Sequence, residues 1–231
     1  MLWYKTWCET RVRFVIGVLV LAWICAVIVL LENSSRRHAG QAMTYVSYIW
    51  NAVYKDYVRS LFVLLTIVLG GGSLLQERFQ GTVGFTLTLP VSRTRLVAVR
   101  AAVGVAEVFL LALVPAIVIP VCSPLTGESY PFIEALRFSL LWAGCGTVIF
   151  GAAVLLSCVL ASEYTAWIVC FLAVMLYAAT LNLTPLRYWQ SADLFQIMRG
   201  STVPWLPLSV MQAMALGFLM LADRITRRRD F

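Results

Sequence analysis

The sequence predicts an all-α integral membrane protein with six transmembrane helices, and two observations carry that prediction. Of 231 residues, 61% are hydrophobic and 13% charged, giving a mean hydropathy of +0.86, far more apolar than a water-soluble domain. The apolar residues also gather into runs of roughly 18 or more, the length that crosses a bilayer as a helix satisfying its own backbone N–H and C=O groups.

In chain order, residues 14–31 form the first span. Before it, in residues 1–13, Trp3, Tyr4 and Trp7 alternate with Lys5, Arg11 and Arg13, the pattern of an interfacial helix lying at headgroup level. The first run is long for a signal-peptide core, and Glu32-Asn33-Ser34-Ser35-Arg36-Arg37 has no small-x-small cleavage site, so it is expected to stay as a helix. A polar, aromatic-rich loop (32–59) leads to the second span, 60–75, whose start reaches back toward Val53 if the helix begins early. The third span, 96–121, carries Arg100 and Glu107, whereas the fourth, 138–161, has no charge. Only Ser162 and Glu163 lie between the fourth and fifth spans, which requires a tight antiparallel hairpin with the fifth at 164–183. An aromatic and proline-containing external segment, 184–203, is expected to dip back into the bilayer. A sixth span, 204–221, and a basic tail, 222–231, complete one transmembrane domain over residues 1–231.

The formal charge of +7 does not point to nucleic acid, because the basic residues flank apolar runs instead of forming a stripe. Eleven Lys and Arg fall on one side (Lys5, Arg11, Arg13, Arg78, Arg93, Arg95, Arg100, Arg224, Arg227, Arg228, Arg229) and seven on the other (Arg36, Arg37, Lys55, Arg59, Arg137, Arg187, Arg199). Because the seven are spread over longer loops, the positive-inside rule puts both termini in the cytoplasm. The six cysteines show no C-x-x-C spacing and four of them (Cys25, Cys145, Cys158, Cys170) lie inside apolar runs, which makes them small packing residues and not a disulfide or zinc framework. His38 is the one histidine, and no carboxylate pair shares a face, so acid–base chemistry has little to work with.

The most informative stretch connects the second and third spans, residues 76–95. Thr82 can cap a short helix after the flexible Gly81, Leu87 and Leu89 give it apolar contacts, Pro90 ends it, and Ser92 can cap the next span. An apolar helix exposed at a cytoplasmic face calls for a protein partner.

Glu77, Gly81-Thr82 four residues on, an apolar stretch ending Leu89-Pro90-Val91-Ser92-Arg93, then Leu96 and Arg100, together resemble the permease subunits of ABC-2 type transporters. Val83 and Gly84 stand where members of that family often carry an acidic residue. The six-span layout and the interfacial N-terminal helix are similar to that family as well. The resemblance implies that 76–95 is a coupling segment whose helix sits in a groove of a separate cytoplasmic ATPase, with Glu77, Gly81, Thr82, Phe85, Leu87, Leu89, Pro90, Ser92 and Arg93 as its coupling residues. It also implies two permease subunits, identical or sister chains, with two ATPases in a bacterial inner membrane.

The chain itself contains no G-x-x-x-x-G-K-[ST], the nearest glycine spacing being Gly146 to Gly151 within a span. No cofactor is therefore expected in this chain, and ATP with Mg belongs to the partner. Besides lipid, the expected partners are that ATPase and the second permease; the cargo expected is amphipathic or hydrophobic, such as a drug, peptide or lipid. A membrane scaffold or immunity-type protein, and a secondary transporter, are the rival readings; no inverted repeat accompanies Gly70-Gly71-Gly72 three helices later.

Arg100 and Glu107 share a face of the third span, being two helical turns apart. For Arg100, snorkelling or a loop contact with Glu77 is favoured over a substrate role. For Glu107, structural pairing and a cavity-lining role both stand. Gly70 to Gly72 and Gly144, Gly146, Gly151 and Ala152 allow close helix approach, within the subunit or at a dimer seam.

Overall fold

A computed structural model of the chain describes residues 2–31, 44–55, 57–71, 93–160, 163–182 and 205–228. The described residues are almost entirely helical, with no strand among them. Six longer helices are α1 (Leu2–Leu30), α3 (Tyr57–Gly71), α4 (Arg93–Cys122), α5 (Phe132–Val159), α6 (Glu163–Asn182) and α7 (Trp205–Arg228). A short α2 (Tyr45–Ile49) and a π-helical turn (Trp50–Lys55) precede α3, and a 3₁₀ turn (Ser123–Thr126) follows α4. Among the described residues, four stretches are long and apolar enough to cross a membrane: Trp3–Leu30, Thr94–Thr126, Phe132–Val159 and Leu208–Arg227.

The helices alternate in direction. Glu9 meets Arg100 and Gly17 meets Leu111, so α1 and α4 run in parallel. Gly104 lies against Phe150 while Gly146 lies against Val108, which makes α5 antiparallel to α4. Phe62 lies against Gly146 and Gly70 against Ala153, so α3 runs with α5. Gly144 faces Leu208 and Gly151 faces Ala215, so α7 does too. Gly71 at the end of α3 meets Trp167 near the start of α6, which returns the other way. Below, the near side is the one on which α1 begins.

The centre is α5, which touches α3, α4, α6 and α7. Its apolar window is 61% buried, against 22% for α1 and 11% for α7, so those two helices lie at the periphery with most of their side chains outward. Glycines bring the neighbours close: a Cβ on Gly146 would stand 2.7 Å from Val108 Cγ1 and 2.8 Å from Phe62 Cζ. Along α7 the facing positions Leu208, Gln212, Ala215, Leu219, Ala222 and Thr226 recur every three or four residues, the spacing of a coiled-coil seam. Polar contacts add to the register there, Gln212 Nε2 donating to Thr147 Oγ1 at 3.1 Å and Thr226 Oγ1 to Cys158 Sγ at 3.7 Å. Of the glycines singled out from sequence, Gly70, Gly71, Gly144, Gly146 and Gly151 pack within the chain, and Gly72 lies outside the described residues.

Aromatic rings fill the far side. Phe138 packs on Trp50 at 4.7 Å and on Tyr54 at 5.0 Å, and Trp142 stacks on Phe62 at 5.0 Å. Tyr45 shares a 2.6 Å hydrogen bond with Ser123 and meets Tyr130 edge to face. Burial, with smaller contributions from Glu134 and Tyr45 and against the pull of Arg137, raises the Tyr130 hydroxyl above its ordinary range, so this cap stays uncharged at physiological pH. Gly127, at φ 78°, ends the 3₁₀ turn and lets the chain reverse into α5.

Four boundaries differ from expectation. Residues 1–13 are not a separate interfacial helix; α1 is continuous from Leu2 to Leu30, because neither Gly nor Pro interrupts residues 2–16 and Thr6, Glu9 and Thr10 continue the packed stripe onto α4. The expected loop 32–59 is helical from Tyr45 onward, because Tyr45, Ile49, Trp50, Val53 and Tyr54 are buried among the far-side aromatics. The fourth and sixth helices extend beyond 138–161 and 204–221, beginning at Phe132 and ending at Arg228 respectively, their charged turns reaching past the apolar core. The expected segments 76–92 and 184–203 lie outside the described residues.

Gly70 supplies a stability test. A Cβ there would meet Ala153 Cβ at 2.8 Å and the Phe150 carbonyl oxygen at 3.0 Å, neither of which can rotate away. Gly70→Ala is expected to cost about 1–3 kcal/mol in unfolding of the purified protein in lipid nanodiscs. Gly217→Ala, where nothing lies within 4 Å, is expected to leave stability unchanged.

Candidate functional site between α1 and α4

The coupling residues expected from sequence, Glu77, Gly81, Thr82, Phe85, Leu87, Leu89, Pro90 and Ser92, lie outside the described residues, and Arg93 is the first residue of α4. Arg100 and Glu107, the other two candidates, are brought together with residues of α1 that sequence reasoning did not select.

The buried stripe of α1 runs Thr6, Phe14, Gly17, Leu21, Cys25 and Val29, with Thr10 half-buried and Glu9 exposed beside its first turns. It is apolar from Phe14 onward and polar before it. Opposite the polar part stand Arg100 and Glu107 of α4. Arg100, 7% exposed, donates from Nη2 to Glu9 Oε2 at 3.3 Å, and Lys5 Nζ lies 3.8 Å from Glu9 Oε1. Sequence reasoning favoured snorkelling or a contact with Glu77 of the preceding loop, which lies outside the described residues; among the described residues Arg100 pairs with Glu9 of the first helix.

Glu107 lies further along the same seam, 1% exposed, about 21 Å along the axis from the start of α4 at 1.5 Å per residue. Its Oε1 is hydrogen-bonded to Thr10 Oγ1, which also lies 3.3 Å from the Thr6 carbonyl. Its Oε2 is buried and has no hydrogen-bond partner among the described residues. Glu107 thus packs against the first turns of α1.

The ends of α3 and α4 that enter and leave the undescribed segment are both fastened to α1. Gly71, the last residue of α3, makes room for Trp167 of α6: a Cβ there would overlap the indole at 2.1 Å. The Arg13 guanidinium of α1 lies over that same indole, 5.5 Å from its centre, a cation–π contact. Arg100, two turns into α4, holds Glu9. Thus α1 bridges the two helices flanking residues 72–92.

The signal that would have found Glu9 and Thr10 is their spacing: they lie one turn before Phe14, on the stripe that later carries Leu21 and Cys25. Among the described residues no group of three His, Cys, Asp or Glu side chains gathers as a metal site. None of the six cysteines forms a disulfide, and Cys25, Cys158 and Cys170 are buried between helices.

A double-mutant cycle on Glu9→Gln and Arg100→Gln is expected to return a coupling energy of about 1 kcal/mol, read from unfolding midpoints. The size is held down because Glu9 keeps a side-chain exposure of 31%. Additive losses would show that the two charges act separately.

No family model matches the chain, and no curated protein matches it.

Proposed function

We propose that this chain is the permease subunit of an ATP-driven exporter of the ABC-2 type, crossing a bacterial inner membrane six times with both termini in the cytoplasm. In this reading a separate cytoplasmic ATPase binds ATP and Mg, a second identical or sister permease completes the pore, and the cargo is amphipathic or hydrophobic. The alternating directions of the six long helices agree with six crossings, and the eleven-to-seven division of Lys and Arg favours cytoplasmic termini.

One observation carries the reading. Residues 77–92, which bear most of the resemblance, lie in sequence between α3 and α4, and both helices are tied to α1 close to that segment through Trp167–Arg13 and Arg100–Glu9. A push on the segment is therefore delivered to three helices at once. Closing of the ATPase dimer would move the segment and tilt α3 and α4 with α1, changing which side of the membrane the cavity between permeases faces. The nucleotide supplies the differential free energy, and the permease needs only two packings of similar energy.

Isolation of the complex from its native host in mild detergent tests this. An ATPase bearing a Walker motif is expected to co-purify with the wild type. Glu77→Arg, and the Phe85→Asp with Leu89→Asp double change, are expected to lose that ATPase or uncouple its hydrolysis. Recovery of a well-folded wild type without any ATPase would overturn the reading in favour of a scaffold, or of a secondary transporter if ion-driven flux is found.

A further inference from the structure

The seam between α1 and α4 contains a carboxyl group whose surroundings suit only one protonation state. Glu107 is 1% exposed. An ionised carboxylate accepts about four hydrogen bonds, and here a single hydroxyl, that of Thr10, is in reach. Oε2 has no hydrogen-bond partner among the described residues, and no Lys or Arg among them lies within ion-pair distance of either oxygen. A bare charge so placed carries the full penalty of desolvation.

The charged groups on the surrounding helices do not offset it. On α1 these are Lys5, Glu9, Arg11 and Arg13, and Lys5 and Glu9 are engaged with each other and with Arg100 of α4. The other basic residues of α4, Arg93 and Arg95, lie in its first turn. Arg59 stands in the first turn of α3, on the far side, as do Glu134 and Arg137 in the first two turns of α5. The sole charge of α6, Glu163, is its first residue, and Asp223, Arg224, Arg227 and Arg228 close α7.

Protonation resolves the geometry. With a proton on Oε1, Glu107 donates to Thr10 Oγ1, and Thr10 in turn donates to the Thr6 carbonyl 3.3 Å away. Every proton in that chain then has an acceptor, and Oε2 remains as a neutral carbonyl oxygen, far cheaper to bury than half of a charge.

We infer that Glu107 is a proton-binding site, held neutral at physiological pH by the closed α1–α4 seam, its protonated form hydrogen-bonded to Thr10, which in turn donates to the Thr6 carbonyl. The proton is gained and lost from the near side, where Lys5 and Glu9 keep side-chain exposures of 43% and 31%, and only when the seam admits water. This rests on the seam alone and is independent of the exporter reading.

Infrared spectroscopy of the full-length protein in lipid nanodiscs, with the glutamate side-chain carboxyl isotopically labelled, tests it. At neutral pH the wild type is expected to show a protonated-carboxyl C=O band that moves with the label, so that it belongs to a glutamate. Glu107→Gln is expected to abolish that band, and Thr10→Val to move it to higher frequency as the hydrogen bond is lost. A folded wild type with no such band at neutral pH overturns the inference, as does a band that Glu107→Gln leaves in place. If Glu107→Gln does not fold, Thr10→Val decides alone: a band it leaves unmoved is not that of Glu107.

Discussion

Inside a bilayer nothing is gained by bringing two apolar surfaces together, because the lipid tails are as apolar as the side chains. Helices in this chain are held instead by how closely their backbones approach, and α5 is where that approach happens. At Gly70, Gly104 and Gly146 an added Cβ would stand under 3.0 Å from a neighbouring helix, and at Gly151 it would stand 3.2 Å from the Ala215 carbonyl oxygen. Remove that closeness and α3, α4 and α7 would each lose their contact with the centre. Aromatic rings then fill what the glycines leave, with Phe62 and Phe150 reaching into the spaces beside Gly146 and Gly104.

Polar contacts in this frame are few and placed where they add direction. Gln212 and Thr147 set the register of α7 on α5, since a hydrogen bond in hydrocarbon has no water to replace it. The Glu9–Arg100 and Thr10–Glu107 contacts do the same for α1 on α4. A helix only 22% buried over its apolar window has little packing to determine its rotation. For α1 that task falls to the polar first turns and to the stripe from Phe14 to Val29.

The long apolar runs were legible in the sequence because spanning length and hydrophobicity need no tertiary context; α4 to α7 overlap the runs, α5 starting earlier and α7 ending later than the apolar residues alone indicate. The first thirteen residues misled for a physical reason. Alternating Trp, Tyr, Lys and Arg suits the membrane surface equally well as a helix that continues straight with its basic residues outward, and only the partners Arg100 and Glu107 on another helix decide between them. The loop before α3 was missed because its buried Tyr45, Trp50 and Tyr54 are amphipathic residues that read as interfacial until Phe138 and Trp142 are known to face them. Arg100 and Glu107 were legible as a pair sharing a face, but a helical spacing names no partner on a different element. Residues 77–92 could be read only as a pattern and a resemblance.

Access to water changes along the α1–α4 seam, and so does the cost of parting the two helices. At Lys5 and Glu9 the side chains are about one third to two fifths exposed, so charges separated there can be rehydrated and the loss is modest. At Arg100 and then Glu107 exposure falls to 7% and 1%, and each step exposes groups that have no solvent to turn to. Beyond Glu107 the stripe is wholly apolar and meets the close contact of Gly17 with Leu65 and Leu111. A force applied at the near side therefore opens the seam as one opens a wedge, easily at Glu9 and against rising resistance toward Thr10. Because Glu107 stands where the polar stripe ends, its hydration is the first event that distinguishes a fully parted seam from a merely frayed one.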